Sequence, residues 1–382
     1  MPESKVNIAL DGSPLDGGVL ARLSRVEVRE SDDGPTVAIL RFRVAQEASG
    51  EIFPLDGDFF QPGTRVAVDL AAPGGLTTRM LEGFVTHLRP HFEGIEANCY
   101  VEVLAMDAVA LLDAGERVAT YEDVTDAEAA TAVFDRYGLR GEVADTPARH
   151  QLEGQLLTQR ESDWRFLRRL ARRNGFCCYF EPDANNAGEV VAYFRPRALT
   201  DPPQADLTIL REGANLKWID FQHTMTGPVG AVGAAIDPLT KRLVRTGTRG
   251  AASPMGSEAA IAAVESGLGG AGADVLRTLL RDPVPADTAI SQEGVSANDA
   301  AGFILQARGE LDPALYRGLL RARRPVLIKG VGRRLAGSWY ARSVRTVMDE
   351  GALTQTFVAE RNALDPSGSE DFGQVAEEVQ AQ

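Results

Sequence analysis

The sequence is poor in the residues that build disulfide scaffolds, metal sites and aromatic platforms. Its 382 residues include only three cysteines, four histidines and 7% aromatic residues. Two of the cysteines, Cys177 and Cys178, are neighbours in sequence, and such neighbours rarely form a disulfide with each other. We therefore expect a chain that folds in a reducing cytoplasm without a disulfide framework.

The sequence also lacks a long apolar run and an excess of positive charge. No stretch approaches the roughly 18 apolar residues that a membrane-spanning helix needs. The N-terminus lacks the basic and then apolar pattern of a signal peptide. The formal net charge of −14 disfavours binding to nucleic acid or to anionic membranes. These features predict synthesis in the cytoplasm without a signal peptide, no direct membrane insertion and no nucleic-acid partner.

The usual signatures of catalytic and cofactor sites are missing as well. His87 and His91 are four residues apart, but a proline lies between them and no cysteine or acid completes a zinc set at the usual spacing. The glycine-rich segment 267–272 lacks the preceding strand and the third glycine of a dinucleotide-binding loop. The sequence therefore predicts no catalytic residue, no cofactor and no metal, and we do not expect an enzyme.

What the sequence does contain is two strand-rich regions separated by a region of mixed pattern. Short alternating segments fill the first hundred residues, as in the segment 65–70, and they suggest a small barrel or sandwich. A change of phase in the segment 36–44 predicts a β-bulge near Ile39. Helical spacing begins at Asp107, and strand patterns resume after residues 202–203. The pattern therefore predicts two β-rich blocks that flank an α+β block.

These changes of pattern give the expected domain boundaries. We expect a first β domain at 1–106, an α+β middle domain at 107–200, a second β domain at 201–365 with a Gly/Ala-rich insertion at about 250–295, and an acidic tail at 366–382. The tail carries four acids and no bases, so we expect it to be flexible or to become ordered only on a partner.

Three further expectations concern the second β-rich block. The segment 250–273 is rich in Gly, Ala and Ser, which is typical of a mobile loop or an insertion. The segment 296–299 is expected to cap a helix that runs to Arg308. The segment 316–322 is expected to form a strand.

The most strongly marked segment is 157–181, which predicts a capped helix followed by a short strand. Ser162 or Asp163 can cap the first free backbone amides, and Gly175 can adopt the left-handed conformation that ends a helix. Apolar residues recur at helical spacing and define one buried face. Five arginines fill the remaining surface: Arg165, Arg168, Arg169, Arg172 and Arg173.

Five arginines on one helix suggest nucleic-acid binding, a solvated surface or contact with another protein subunit. The chain has no second basic stretch and no interleaved aromatic residues that would extend a nucleic-acid track. A solvated or subunit-facing helix is the better interpretation. In an acidic chain, we interpret the five arginines as candidate subunit-interface residues that contact acidic surfaces.

Several motifs also occur in the order found in phage late-control D proteins. The run Ser162-Asp-Trp-Arg-Phe-Leu-Arg-Arg-Leu-Ala-Arg-Arg-Asn-Gly175 resembles the family motif Ser-Asp-Trp-x-Phe-Leu-x-Arg-Leu-Ala-x-x-x-Gly. The same motif occurs in the hub portion of valine-glycine-repeat (VgrG-type) spike proteins of contractile injection systems. Further similarities lie at 82–86, 103–107, 124–128, 137–139, 330–340, 354–357 and 361–363. The resemblance spans roughly residues 80 to 363, although the chain departs from the family pattern at 344–346 and at Leu353.

The resemblance implies an α+β fold in which two β-barrel (tube-like) domains flank a smaller α+β domain. It implies a structural baseplate hub, a homotrimer whose six barrels match the sixfold inner tube on one side and the threefold spike on the other. The implied partners are its own copies, the inner tube protein, baseplate proteins and a separate spike protein. A phage tail, a bacteriocin-like particle, an extracellular device and a membrane-docked apparatus all fit this description.

Two alternatives of other classes are open at this stage. A hub-associated cell-wall hydrolase would need two carboxylates on a cleft-forming block of its own, and only the segment 250–299 could supply one. A β-rich carbohydrate-binding adhesin would fit the strands, but the sequence shows neither a signal peptide nor an evident aromatic platform.

Overall fold

The computed structural model describes residues 4–57, 59–151, 156–224, 230–237, 240–248, 254–268, 277–280, 287–316, 318–370 and 372. Most of the regular secondary structure in these residues is β-strand. The longer helices lie at 126–136 and 163–174, and later at 260–268 and 287–302. None of the helices in the described ranges is long and apolar enough to cross a membrane.

The described residues of the first strand-rich region form nine strands, a single-turn α-helix and a 3₁₀ turn at Glu96–Asn98. The strands are β1 (Lys5–Leu10), β2 (Ser13–Pro14), β3 (Leu23–Ser31), β4 (Val37–Arg43), β5 (Ala45–Gln46), β6 (Ile52–Phe53), β7 (Arg65–Ala71), β8 (Thr78–His91) and β9 (Tyr100–Met106), with α1 at Gly17–Leu20. Alternate residues point into one core, for example Val66, Val68 and Leu70 of β7. This is the two-residue period of a strand with one buried face.

The middle region alternates helices and strands. Its elements are α2 (Val109–Leu112), β10 (Glu116–Tyr121), β11 (Val124–Thr125), α3 (Asp126–Arg136), β12 (Arg140–Val143), β13 (Arg149–His150), β14 (Leu157–Ser162), α4 (Asp163–Asn174), β15 (Phe176–Pro182) and β16 (Val190–Pro196). Helix α3 begins at a capping box, in which Thr125 Oγ1 accepts from the Glu128 amide and Glu128 Oε2 accepts from the Thr125 amide. The strand β15 pairs with β16.

The described residues of the last region contain the second large group of strands and two helices between them. Its elements are β17 (Gln204–Thr208), β18 (Leu216–His223), β19 (Gly230–Ile236), β20 (Leu243–Thr248), β21 (Glu258–Ala259), α5 (Ala260–Leu268), β22 (Arg277–Leu279), α6 (Asp287–Gly302), β23 (Leu305–Leu311), β24 (Arg324–Lys329), β25 (Gly337–Asp349), β26 (Ala352–Arg361) and β27 (Ala363–Leu364). Strands β19, β20 and β22 form a small separate sheet. Helix α6 packs on β19 and β20 and also on α4.

The two large groups of strands share one strand order. Neighbours run β3-β4-β9-β8-β7-β1 in the first group and β18-β23-β26-β25-β24-β17 in the second. When the six strands of each group are ranked in chain order, the spatial order in both groups is second, third, sixth, fifth, fourth and first. The two groups are therefore topological repeats. The first five strands pair antiparallel in both groups. The sixth differs, because β1 is antiparallel to β7 whereas β17 is parallel to β24.

The repeats also share β-bulges at matching positions. The shifts in register lie at Leu23/Arg25 in β3, at Leu216/Trp218 in β18, at Val85/His87 in β8 and at Ala341/Ser343 in β25. A bulge adds one residue to one strand of a pair. Bulges at the same place in the same strands therefore align the repeats residue by residue.

Strand β25 joins the two groups into one sheet. Its first part, residues 337–341, pairs with β24, and its second part, residues 343–349, pairs with β3 of the first group. On its other side β25 pairs with β26. Met348 of β25 and Leu353 of β26 belong to the core of the first group. Thirteen strands thus form a continuous sheet that branches at β25 and ends at β18, β2 and β17, and the described pairings do not close either group into a barrel.

Four local expectations were wrong or fall partly outside the described residues. Strand β4 pairs with β9 in unbroken register, so there is no bulge at Ile39. Ala38, Leu40 and Phe42 form its buried face, and the apolar Val37 and Ile39 lie on its half-buried face. Residues 296–299 lie inside α6, which ends at Gly302, and Arg308 belongs to β23. The described part of 316–322 is not a strand. The Gly/Ala-rich segment includes helix α5, while 250–253 and 269–276, like 371 and 373–382 of the acidic tail, lie outside the described residues.

Candidate functional site

Helix α4 carries the five arginines, and its ends form as the sequence predicted. Ser162 Oγ accepts a hydrogen bond from the Arg165 amide at 3.3 Å, and Gly175 ends the helix at φ +70°. Phe166, Leu167 and Leu170 are fully buried in the core of the middle region. Burying each such side chain contributes about 1.5–3 kcal/mol, so this face fixes the helix. The arginines are left on the opposite surface.

Two of the five arginines are bound within the chain. The side chain of Arg173 is 13% exposed and pairs with the buried Asp126 at the start of α3. Its Nη2 also lies 2.8 Å from His150 Nε2. Arg169 donates from Nε to Glu161 at 2.7 Å and from Nη2 to the carbonyl of Thr158 at 2.8 Å. These two side chains hold α4 to its own neighbours.

The other three arginines form a stripe, in which Arg165 and Arg172 are exposed and Arg168 is half-buried. Arg165, Arg168 and Arg172 are spaced by three and four residues, so they lie on one side of the helix. Arg165 is 64% exposed and reaches Asp113 and Glu116 only at 3.8 and 4.0 Å. Arg168 lies over the ring of Trp164, with 5.6 Å between the guanidinium carbon and the ring centroid. Arg172 is exposed and makes no ion pair within the described ranges.

Helix α6 makes the other wall of a groove beside this stripe. Ser296 Oγ donates to the carbonyl of Arg172 at 2.7 Å, and Gln292 Nε2 donates to the carbonyl of Asn174 at 3.3 Å. The groove has a volume of about 870 Å³. Its charged lining consists of Arg165, Arg168, Arg169, Arg172, Arg173, Glu161 and Glu293. The groove is therefore basic in a chain whose net charge is −14.

The arrangement suits the binding of anionic groups and offers no evident chemistry. Guanidinium groups bind carboxylates and phosphates through paired hydrogen bonds. The His150–Asp126 pair beside the groove is buried and closed by Arg173, with a distance of 2.9 Å between His150 Nε2 and Asp126 Oδ1. Among the described residues, no cluster of three or more His, Cys, Asp and Glu side chains could hold a metal ion.

A smaller cavity of about 320 Å³ adjoins the groove and shares Arg168 and Arg172 with it. Its floor is a buried ion cluster that joins all three regions of the chain. Arg197 pairs with Asp32 at 3.0 Å and with Glu360 at 3.3 Å. Burial raises the pKa of the Asp32 carboxyl, and the two arginines Arg197 and Arg342 oppose this rise.

A second buried cluster was also missed from the sequence. The Arg323 side chain is 1% exposed. It donates to the carbonyl of Ser31 at 2.9 Å, to Thr36 Oγ1 at 3.1 Å and to Glu181 at 3.4 Å. The only local signal is the presence of three arginines within 321–324, and the partners of Arg323 are more than 100 residues away. Both clusters fix how the middle region sits against the two strand groups.

Comparison with known proteins places this fold among phage tail components. Residues 42–215 match the sequence model of the family described as phage tail baseplate hub (GPD). No curated protein sequence matches the chain.

Three solved structures share the fold over most of the chain. The 43 kDa tail protein of prophage MuSo2 from Shewanella oneidensis aligns with a TM-score of 0.64 and 13% identity, over 95% of this chain and 100% of that one. A tail protein of Neisseria meningitidis MC58 aligns with a TM-score of 0.62 and 12% identity, over 94% and 97%. The c3393 protein of E. coli, a component of the type VI secretion system, aligns with a TM-score of 0.55 and 15% identity, over 94% and 79%.

Proposed function

Because residues 42–215 match the phage tail baseplate hub family and the chain has the fold of phage tail proteins, we propose that this protein is a structural hub of a contractile tail or injection system. It acts as a homotrimer that joins the sixfold inner tube to the threefold spike. Its work is binding, not catalysis.

The repeated strand order is the observation that carries this proposal. A trimer of a chain with two similar strand groups presents six similar units in a ring. A sixfold tube can contact those six units, while the middle regions keep the threefold symmetry that a spike requires. In this proposal each strand group, with boundaries near 1–106 and 201–365, forms a tube-like barrel wall in the assembled ring, and 107–200 forms the middle domain.

The arginine stripe on α4 serves assembly in the same proposal. Arg165, Arg168 and Arg172 are available to contact acidic surfaces of a neighbouring copy, a spike or a baseplate protein. Arg169 and Arg173 take part indirectly, because their internal bonds position the helix. Permanent interfaces of this kind bury about 2,000–5,000 Å². The protein is then made in the cytoplasm and becomes part of a particle.

The proposal is tested by co-expression with the tube, sheath and spike proteins of the same particle. We expect light scattering to give the mass of a trimer for the protein alone or with its spike, and we expect the protein in purified particles. A monomer that is also absent from purified particles would refute the proposal.

A further inference from the structure

We propose that the open edge of β18 in one copy pairs with the open edge of β8 in the next copy. The contact uses the register in which β3 pairs with β25 within one chain. The inference rests on the proposed function for one point, the number of copies, which is three. The strand edges and the residues involved follow from the geometry of the repeats.

The two contacts involve equivalent strands. In the order shared by the repeats, β18 takes the place of β3, and β8 takes the place of β25. Within the chain, residues 343–349 of β25 have β26 on one side and β3 on the other. The matching part of β8, residues 87–91, has β9 on one side. Within the described residues no strand pairs with its other side, and β18 likewise has β23 alone as its partner.

The shared bulges give the register. Arg345 is the third residue after the shift in β25, counting Ser343 as the first, and Arg89 is the third after the shift in β8. Glu27 is the third residue after the shift in β3, and Asp220 is the third after the shift in β18. Arg89 and Asp220 are therefore the equivalents of Arg345 and Glu27.

The equivalent residues also carry the same charges. Within the chain, Arg345 donates to both carboxylate oxygens of Glu27, at 2.7 and 2.8 Å. Arg89 and Asp220 are exposed, and neither makes an ion pair with any part of the chain that the structure describes. If β18 of one copy lies along β8 of the next, Asp220 meets Arg89 as Glu27 meets Arg345. Oppositely charged pairs across strands stabilise a sheet, and they fix its register.

In this register Arg89 lies opposite Gln222 of the neighbouring copy, as Arg345 lies opposite Arg29. Pro90 takes the place of Thr346 and lacks a backbone N–H, so β8 can donate one hydrogen bond fewer than β25. The contact is head-to-tail, and head-to-tail contacts close into a ring or grow into a filament. Three copies would alternate three in-chain and three inter-chain contacts around one ring.

Disulfide cross-linking of the purified protein tests this contact. Directly opposed residues of antiparallel strands lie about 4.5–5.5 Å apart at Cα, which suits a disulfide. The three native cysteines are buried. We expect the double variant Arg89→Cys/Gln222→Cys to form dimers and trimers on oxidation, and each single variant to remain a monomer on a non-reducing gel. No cross-linking in the double variant, cross-linking in a single variant, or a ladder beyond the trimer would each overturn the proposal.

Charge reversal gives a second measurement that a folding defect cannot mimic. We expect Arg89→Glu and Asp220→Arg each to weaken trimer formation at least about tenfold, and the combination Arg89→Glu/Asp220→Arg to restore it. Arg160→Glu, at an exposed position of β14 outside both edges, is the matched control. Failure of the combination to restore the trimer contradicts the proposed pair. Both tests use the isolated protein, so their failure is distinct from a failure to enter particles.

Discussion

Arg345 on β25 and Glu27 on β3 form a two-bonded ion pair across the seam between the two strand groups, with N–O distances of 2.7 and 2.8 Å. Glu27 also accepts hydrogen bonds from Arg29 at 2.6 Å and from Arg25 at 3.1 Å. These arginines, Arg345 first, lower the pKa of the Glu27 carboxyl from 4.5 to about 2. One carboxylate therefore neutralises part of the charge of three arginines at this seam.

Glu27→Gln should lower the free energy of unfolding by roughly 2 kcal/mol near neutral pH, since it leaves charged donors without their acceptor. The carboxyl has a lower pKa in the folded protein, so the unfolded chain binds more protons between about pH 2 and pH 4.5. The stabilisation is therefore present above pH 4.5 and is lost as the pH falls towards about 2. Urea unfolding of both proteins across this range measures it, with Glu122→Gln as an exposed control. An equal difference between the two proteins at every pH would contradict this prediction.

Asp107 should have the opposite pH dependence. Burial raises the pKa of its carboxyl from 3.8 to about 6, against the hydrogen bonds from the amides of Thr36 and Val109. The folded protein then binds more protons between these two values, so this group adds stability as the pH falls from about 6 to 3.8. Asp107→Asn should remove that increase, and the exposed Asp135→Asn should keep it. Urea unfolding between these pH values is the measurement, and an unchanged increase in Asp107→Asn would contradict the assignment.

Substitutions on α4 should separate the arginines that assemble from those that hold the fold. Arg165→Glu/Arg168→Glu/Arg172→Glu should change the unfolding free energy little, since surface substitutions usually stay within about 0.5 kcal/mol each, but should reduce incorporation into particles. Arg173→Gln should cost roughly 3–5 kcal/mol, because it leaves the buried Asp126 without its charged partner. Calorimetry and particle pull-down measure the two effects. Particles that contain the triple variant at the wild-type level would refute the assembly role of the stripe.

Gly175 and Gly138 form a matched pair for testing the contact between α4 and α6. Both have positive φ, +70° and +64°, so alanine costs about 1 kcal/mol at either position. A Cβ at Gly175 would also lie 3.3 Å from Ser296 Oγ of α6, whereas nothing lies within 4 Å at Gly138. Gly175→Ala should therefore destabilise more than Gly138→Ala in thermal unfolding. Equal losses of stability in the two variants would show that α6 shifts to accommodate the added methyl group at no cost.

Local signals predicted local structure well. The cap of α4 and its end at Gly175 formed where the sequence placed them, because caps depend on residues within one or two turns. The bulge predicted at Ile39 was wrong, since apolar Val37 and Ile39 on the half-buried face of β4 imitate a shift in phase while the buried positions alternate without a break.

The long-range features were not predictable from local patterns. Arg173 of α4 is bound by Asp126, which lies 47 residues earlier in the chain. Helix α6, which packs beside the stripe, lies more than 100 residues further along the chain. The repeated strand order was hidden for a similar reason. The turn between β3 and β4 has as its counterpart the whole stretch between β18 and β23, with a small sheet and two helices.

Strand β25 has a consequence for cutting the chain. It supplies the neighbour of β3 from a position more than 300 residues later, so neither strand group has a complete sheet without the other. Residues 1–200 expressed alone would expose the edge of β3 and invite edge-to-edge aggregation. The intact chain should lose both groups in one cooperative unfolding transition, as a single folding unit built from the two ends of the polypeptide.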